Sequence, residues 1–354
     1  MGLPSINIAF TTAAAATAQR TSRQNVALIV RDTKAIGGHS LSRVAQIPSE
    51  LGADNQAFIK RAFVGYVNTP KMVFVYVLST EAESLDEALN WLGLQDFDYL
   101  AGPPDVTSDE AQAIATWVKA QRSGYDAKHK AVLPNLAADS EAVVNFATAN
   151  STVDGVKLTE AQFCSRIAGL LAGTPANLSS TYAVLDEVSD IDRLSREAAN
   201  AAIDAGKLIL IHDGEKVKVA RGVNSLTKVT NPSGEIFKKI KVVAVTDLIK
   251  SDIRRTAEDS FIGNYPCTYD NKLVLVTAIN NYFRELAREG VIEADFAVDI
   301  DANANAAWLE AHGTDISGMS EQDLRAANTQ DHVFLTARIK ILDVIEDIDL
   351  NINL

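Results

Sequence analysis

The five histidines of this chain are the first candidates for acid–base or metal chemistry, but they are scattered. None stands at metal-ligand spacing from another His, a Cys or a carboxylate. His212-Asp213 could form an acid–base pair, although the following Asp213-Gly214 dipeptide is more typical of a β-hairpin corner. Gly37-Gly38 could contact phosphate, although a plain glycine turn is the more common role. The histidines are His39, His129, His212, His312 and His332.

Other reactive residue types also lack the pattern that chemistry requires. Cys164 stands among apolar helix positions and predicts a small core residue, while Cys267 is far away, so no disulfide framework or zinc site is expected. Asp299-Ile300-Asp301 and the acidic stretch 343–349 could bind calcium, but they lack the glycine and spacing of a calcium loop. The sequence contains no GxSxG, P-loop or GxGxxG motif. We therefore predict no catalytic site, no metal and no cofactor.

Both ends of the chain carry the alternation of a half-buried β-strand, although no turn signal nearby supplies a partner strand. An unpaired strand with an apolar face is a template for another chain. The ends therefore predict arms exchanged between subunits; the alternative is that they pair with each other within one chain. The apolar residues of the arms are Ile6, Ile8, Phe10, Ile348, Leu350, Ile352 and Leu354.

Composition narrows the class of protein. The chain has 354 residues, 47% of them hydrophobic and 22% charged, which is typical of a globular chain of two or three domains. Its formal net charge of −13 argues against nucleic acid or an anionic membrane as the main partner. No apolar run approaches the length of a membrane span and no signal peptide is evident. With few cysteines, we expect folding in a reducing compartment, the cytoplasm.

The order of predicted elements indicates a mixed α+β chain that begins with an α/β domain. Strands are expected at 25–30, 72–78, 97–100 and 131–133, and helices after Ser84, Thr107 and Ser140, the last of these through residue 149. We divide the chain into an amino-terminal arm and hinge at 1–22, an α/β domain at 23–150, a second domain at 151–342 and a carboxyl-terminal arm at 343–354.

The second half predicts long helices and a hairpin. Thr159 and Ser195 are expected to cap helices, and alternating strands at 207–212 and 216–220 on either side of Asp213-Gly214 predict the hairpin. Long helices are expected at 245–262 and 271–289, followed by a strand at 333–341. The apolar face of that strand consists of Val333, Leu335, Ala337, Ile339 and Ile341.

One local charge reversal interrupts this acidic chain. Six basic residues fall within 238–255, and Lys250 and Arg254 share a helix face because they are four positions apart. The cluster is either ordinary solvated surface or a docking face for an acidic partner.

Several segments resemble the tail-sheath proteins of contractile phage tails, R-type bacteriocins and related injection systems. They are RIAGLLAGTPANLSSTYAVLDEV at 166–188, KLILIHDGEKVKVARGVNSLTKV at 207–229, AEDSFIGNYPCTYDNKLVLVTAINNYFRELAREGVI at 257–292, and FDYLAGPP, WVKAQRS and AVLPNLAADSEAVVNF within 97–146. Together with the arms they cover most of the chain in the family's order. The likeness is greatest to the shorter sheaths of Gram-positive phages and phage-derived bacteriocins.

The resemblance implies a structural subunit without an active site. Such subunits stack as rings of about six around an inner tube, exchange terminal strands and contract to drive the tube through an envelope. It implies that residues 333–341 receive a neighbour's arm, with Lys250 and Arg254 as candidates for the tube-facing surface. Joints are expected near 11–18 and 341–346. Implied partners are further copies of the chain, the tube protein, and baseplate and tail terminator proteins.

The resemblance further implies assembly in the bacterial cytoplasm and later release within a tail or tail-like particle, with no nucleic acid bound and no membrane insertion. Two other classes of function stay open at this point. One is an α/β enzyme or small-molecule binder that uses Gly37-Gly38 or His212. The other is a subunit of a non-contractile assembly, such as a capsid or a surface layer.

Overall fold

The structure is a computed structural model that describes residues 24–229 and 232–353. The described residues divide into two compact units. The first unit comprises the described residues up to Ala244 together with those from Val344 onward. The second unit comprises Val245–Asp343. From Val344 onward, the carboxyl-terminal arm thus belongs by its contacts to the first unit. The predicted boundaries at 22, 150 and 342 stay a prediction.

The first unit contains twelve strands and five complete helices among the described residues. Its strands are β1 (Asn25–Asp32), β2 (Gly37–Leu41), β3 (Met72–Ser79), β4 (Tyr99–Ala101), β5 (Lys130–Pro134), β6 (Val143–Phe146), β7 (Ser151–Val153), β8 (Val156–Leu158), β9 (Val188–Asp190), β10 (Lys207–Leu208), β11 (Leu210–His212) and β12 (Val217–Val219). Its helices are α1 (Ala53–Ala62), α2 (Asp86–Leu92), α3 (Ser108–Tyr125), α4 (Glu160–Ala172) and α5 (Arg196–Asp204). Short 3-10 turns occur at Val44–Gln46 and Pro232–Lys238.

A seven-stranded sheet in the order β10-β6-β5-β4-β1-β3-β2 forms the centre of the first unit. All its strands are parallel except β2, which pairs antiparallel with β3 at the edge. Strand β1 is apolar at successive positions because both of its faces are buried. Val26, Leu28 and Val30 face the layer of α1 and α4, whereas Ala27 and Ile29 face the layer of α2 and α3.

Helices α1 and α4 pack at very short range. A Cβ atom added at Gly169 of α4 would lie 2.1 Å from the carbonyl oxygen of Ala62 in α1. The Ser165 hydroxyl of α4 donates a hydrogen bond to the Phe58 carbonyl, so small residues on α4 allow the two backbones to approach. The predicted helix starts at Thr107, Thr159 and Ser195 are confirmed, since each side chain accepts an amide hydrogen bond in the first turn.

The helix predicted from Ser140 to residue 149 is wrong. Residues Val143–Phe146 instead form β6, which pairs with β5 on one side and β10 on the other. All four residues are buried, and the β-branched pair Val143 and Val144 suits a strand covered on both faces. The Ser140 hydroxyl accepts from the Ala142 amide, and the turn that this stabilises leads into β6.

The hairpin predicted around Asp213-Gly214 is confirmed as β11 and β12. Gly214 has a φ of +111°, a conformation that favours glycine, and the Asp213 carboxylate accepts the Glu215 and Lys216 amides. The segment Lys207–Leu208, predicted as part of this hairpin, joins the large sheet as β10 instead. Strands β8, β7 and β9 form a further three-stranded sheet.

Helix α6 (Ile240–Thr256) begins in the first unit, earlier than predicted, and ends in the second. The second unit continues with a π-helical turn at Ala257–Phe261, α7 (Tyr269–Arg288), β13 (Ala297–Ile300), α8 (Ala302–Ala311), α9 (Glu321–Ala326) and β14 (Leu335–Arg338). Strands β13 and β14 form an antiparallel two-stranded ribbon. The mixed α+β class is thus confirmed. Within the described residues, no helix combines the length and apolar character needed to cross a membrane.

Candidate subunit interface

The carboxyl end of β1 is the place where an open α/β sheet most often binds a ligand, because the strand order reverses there. In this chain Arg31 extends from β1 and forms ion pairs with Asp105, at 2.9 Å, and with Glu110 of α3. Only 14% of the Arg31 side chain is exposed. The position of a typical ligand site therefore carries an internal ion-pair network.

Asp32 next to it has a structural role as well. Its carboxylate accepts hydrogen bonds from the amides of Gly52, Thr33 and Lys34 and from the Asn55 side chain. These hydrogen bonds lower the pKa of Asp32, and the one from the Gly52 amide has the largest effect. The carboxylate thus fixes the backbone that leads into α1.

Gly37-Gly38 lies in strand β2 and not in a phosphate-binding turn. A Cβ atom at Gly38 would lie 2.1 Å from Cε2 of Trp91, so packing against this indole explains the glycine. The His39 Nε2 lies 2.7 Å from the Ala35 carbonyl oxygen and so closes a local turn. The geometry fits a packed sheet edge.

His212 and Asp213 stabilise the hairpin corner. The Gly214 amide donates to His212 Nδ1, and Asp213 forms an ion pair with Lys218 at 2.7 Å. The Lys218 hydrogen bond, together with backbone amides, lowers the pKa of Asp213, so this carboxylate stays ionised and is a poor general base at neutral pH.

The remaining chemical candidates also have structural roles. Asp301 caps α8 by accepting the Ala304 amide, and Asp299 forms an ion pair with Arg325. Burial raises the pKa of the Cys164 thiol, which keeps it protonated. Among residues 24–229 and 232–353, no three His, Cys, Asp or Glu side chains are grouped as metal ligands.

The carboxyl-terminal arm is fixed to the first unit at its root. The Glu346 carboxylate accepts hydrogen bonds from the hydroxyls of Thr181, at 2.5 Å, and Ser179, at 3.3 Å. Arg221 pairs with Glu346 at 3.4 Å and with Asp347 at 2.5 Å. Only 11% of the Glu346 side chain is exposed. We call these five residues the arm-root clasp.

The clasp holds an ordered charge network. The pKa of Arg221 is raised, chiefly by its hydrogen bond to Asp347. The charges of Glu346, Asp347 and Tyr182 raise it further. Sequence reasoning missed the clasp because its two parts are far apart in the chain. The matching charges of Arg221 and of Glu346-Asp347 were the only available signal.

Beyond the clasp the arm presents its apolar side chains to solvent. Ile348, Leu350 and Ile352 are 80%, 77% and 72% exposed. Within the described part of the chain, no strand pairs with residues 348–353. A row of exposed apolar side chains on an extended segment marks an interaction surface. Leu354 and the amino-terminal arm residues Ile6, Ile8 and Phe10 lie outside the described residues, as does the joint expected at 11–18.

The joint expected at 341–346 is held at both of its ends. Ile341 forms a bridge with Ile292, and the Leu342 amide donates to the Val291 carbonyl in the second unit. Glu346 is held by the clasp on the first unit. The part of the arm that lies beyond the clasp therefore begins after Asp347.

The predicted receiving strand contains β14, which pairs with β13 through a register that joins Val298 to Ala337. Ala337 is buried, Leu335 and Ile339 are half-buried, and Val333 is 40% exposed. The tube-facing candidates Lys250 and Arg254 lie on α6, where both are half-buried and both interact with other residues. Whether either set meets a partner stays a prediction.

The described residues combine an α/β core, whose usual ligand position carries an ion-pair network, with an anchored and exposed apolar arm, which is typical of a structural subunit. Residues 79–225 match the phage tail sheath protein central domain, and residues 233–354 match the phage tail sheath C-terminal domain. The chain is 37% identical, over 100% of its length and 99% of the relative's, to the tail sheath protein of Clostridium phage phiCD119. The chain therefore belongs to the phage tail sheath family, whose members are structural proteins and not enzymes.

Solved structures share the fold. The sheath tail protein from Desulfitobacterium hafniense has a TM-score of 0.69 and 19% identity, with 84% of this chain and 94% of that chain covered. A chain of the anti-feeding prophage baseplate, solved by cryo-EM, has a TM-score of 0.68 and 14% identity, with 100% of this chain and 99% of that chain covered.

A second sequence relative is the uncharacterised Bacillus subtilis protein YqbK. It is 26% identical over 59% of this chain and 47% of its own length.

Proposed function

We propose that this chain builds a contractile tail sheath. Subunits stack as rings of about six around an inner tube and are linked by exchanged terminal strands. The observation that carries the proposal is the arm: a clasp fixes its root, and its apolar residues Ile348, Leu350 and Ile352 have no partner strand among the described residues. Membership of the tail sheath family supplies the context.

Energetics favour an arm that is ordered by a neighbour. Burying the four apolar residues Ile348, Leu350, Ile352 and Leu354 against a neighbour would contribute about 1.5–3 kcal/mol each. Ordering residues 348–354 costs about 1–2 kcal/mol per residue, so the two sums nearly cancel. The clasp limits this cost because the preceding segment, through Asp347, is already held. One arm alone is therefore marginal, whereas a polymer forms many such contacts at once.

Contraction requires two packings of the same bodies that differ in free energy. Flexible connections must then keep the subunits linked while the bodies move. In this proposal the link consists of residues 348–354, and the clasp transmits force from the arm to the first unit. The further partners are the inner tube protein, with Lys250 and Arg254 as candidates for its contact, and the baseplate and tail terminator proteins. Assembly takes place in the bacterial cytoplasm, before the particle is released.

Removal of residues 348–354 tests the proposal. The truncated chain should keep the circular dichroism spectrum and melting temperature of the full chain but should no longer form rings or tubes in negative-stain electron microscopy. A matched pair of full-length variants separates the two faces of the arm. Serine at Ile348, Leu350 and Ile352 should abolish assembly, whereas serine at the intervening Asn351 should preserve it.

Three results would contradict the proposal. Tubes formed by the truncated chain would show that the arm does not link subunits. Unfolding of the truncated chain would show that the arm completes its own body. Tubes whose helical lattice stays the same when an inner tube is removed would instead favour a non-contractile assembly.

A further inference from the structure

The arm-root clasp is connected by hydrogen bonds to the start of helix α6. The Thr181 hydroxyl donates to the Glu346 carboxylate and also accepts the Gly222 amide, with 3.0 Å between that nitrogen and the hydroxyl oxygen. The Gly222 carbonyl in turn accepts the amide of Ile240, the first residue of α6, at 3.0 Å. Three successive hydrogen bonds thus join the arm to the first turn of this helix.

The segment that follows β12 also pairs with the chain that leads into α6. Val223 and Lys239 form an antiparallel bridge there, and the Asn224 amide donates to the Lys238 carbonyl. Arg221 of the clasp comes immediately before this pairing. A displacement of the clasp therefore acts on the backbone next to the start of α6.

Packing is close at Gly222 and looser beside it. A Cβ atom at Gly222 would lie 2.6 Å from the Ser180 hydroxyl oxygen. By contrast, a cavity of about 20 Å³ is lined by Leu178 and Ser180 together with Ile240 and Lys241 of α6. Atoms that line a cavity lack part of their packing contacts. The hydrogen bonds through Gly222 are therefore the firmer link between the clasp and α6.

The Gly222 carbonyl has a specific role at this end of the helix. The first amides of an α-helix have no partner within the helix, so the Ile240 amide needs an acceptor from outside it. Ile240 is buried, so water is a poor substitute for that acceptor. A shift of Gly222 should consequently let the first turn of α6 open.

We propose that Thr181 and Gly222 couple the position of the arm root to the opening of the first turn of α6. A neighbour that pulls on the arm displaces Glu346, and the hydrogen bonds pass this displacement to the acceptor of the Ile240 amide. Because α6 continues into the second unit, the load also reaches the helix that carries the tube-facing candidates. Coupling of this kind is reciprocal. It lies within one subunit, and only the neighbour that loads the arm rests on the proposed function.

Hydrogen exchange of the full chain, kept below the concentration at which it assembles, tests the coupling. Glu346→Ala removes a carboxylate whose hydrogen bonds and ion pair all lie within the clasp. We expect the amides of 240–243 to exchange about two- to tenfold faster, which corresponds to weakening or losing one ordinary hydrogen bond. The control Asp349→Asn changes an exposed arm residue outside the clasp and should leave these amides unchanged.

A matched pair of variants at Thr181 identifies the coupling group. Thr181→Val keeps the branched shape but removes the hydroxyl that joins Glu346 to Gly222, so the amides of 240–243 should exchange faster to a similar extent. Thr181→Ser retains a hydroxyl, and its amides should exchange like those of the unmodified chain.

The outcomes separate this inference from the proposed function. If Glu346→Ala speeds exchange at 344–348 but leaves 240–243 unchanged, the clasp stands and the coupling is overturned. Equal exchange in Thr181→Val and Thr181→Ser would also overturn it, since the hydroxyl would then not be the coupling group. If Thr181→Val does not fold, Glu346→Ala and its control decide. Arm exchange between subunits is tested separately, by electron microscopy of the assembled chain.

Discussion

The Thr181 hydroxyl donates a hydrogen bond to the Glu346 carboxylate, although the two residues are 165 positions apart in the sequence. Thr181 also accepts the Gly222 amide, so the same hydroxyl ties the loop between α4 and β9, the segment after β12 and the arm together. Arg221 adds ion pairs to Glu346 and Asp347. A pull on the arm is therefore transmitted to the first unit at this point.

Removing the clasp should loosen the arm root without unfolding the body. Glu346→Ala leaves the Ser179 and Thr181 hydroxyls and Arg221 without their shared acceptor. Because hydrogen bonds to a charged group are worth about 1.5–3 kcal/mol, we expect amide exchange in residues 344–348 to accelerate at least about tenfold. Hydrogen exchange followed by mass spectrometry measures this. Asp349→Asn, beyond the clasp, serves as the control; equal protection in Glu346→Ala would show that the clasp does not hold the arm.

His129 should make the first unit sensitive to acid. Its ring stacks on Phe97 with 3.9 Å between centroids and is 6% exposed. Burial, aided by the charges of Lys130 and Lys128 and opposed by the Phe97 carbonyl and Asp96, lowers the pKa of His129 to about 4. Between pH 6.5 and 4 the unfolded chain therefore binds the proton more readily than the folded chain. The His129 imidazole should therefore lower the free energy of unfolding by about 3 kcal/mol across this window, and its own contribution should change no further below it.

Urea denaturation at several pH values checks this expectation. His129→Gln should lose that part of the pH dependence, even if its stability at neutral pH is lower. The exposed His332 provides the control, and His332→Gln should keep the loss of stability between pH 6.5 and 4 that His129 causes. Parallel pH curves for His129→Gln and the unmodified chain would show that the buried imidazole does not titrate in this way.

Two glycine-to-alanine changes should have opposite effects on stability. In Gly169→Ala the new Cβ would lie 2.1 Å from the Ala62 carbonyl oxygen, so α1 and α4 must separate, at a cost of about 1–3 kcal/mol or more. In Gly124→Ala, near the end of α3, no atom lies within 4 Å of the new Cβ. That change should stabilise the chain by up to about 1 kcal/mol. Thermal melts distinguish the two; equal melting temperatures would show that the α1–α4 contact is looser than described.

Local signals in the sequence predicted much of the fold. The dense apolar runs of β1 and β3, the helix caps at Thr107 and Thr159 and the Asp213-Gly214 hairpin all follow from short-range chemistry. The prediction failed where the conformation of a segment depends on residues that are distant from it in the sequence. Ser140 resembles a helix cap, but β5 and β10 on either side make Val143–Phe146 a strand. Strand β13 was not predicted, since it is only four residues long and includes the charged residue Asp299.

The candidate interface, like the fold, was predicted only in the parts that depend on local sequence. Alternation along residues 348–354 indicated an arm, and the structure leaves its described apolar residues exposed. The clasp could not be predicted, since Ser179, Thr181 and Arg221 meet Glu346 only after the first unit has folded. The Arg31 network with Asp105 and Glu110 was likewise hidden, because its members stand far apart in the sequence.

A cryo-EM reconstruction of tubes assembled from the purified chain tests the central claim most directly. The account predicts that residues 348–354 of each subunit form an added strand on the β13–β14 ribbon of a neighbour, while Glu346 stays at Thr181 and Arg221 of its own chain. Arms that fold back and pair within their own subunit, with no strand crossing between subunits, would contradict it.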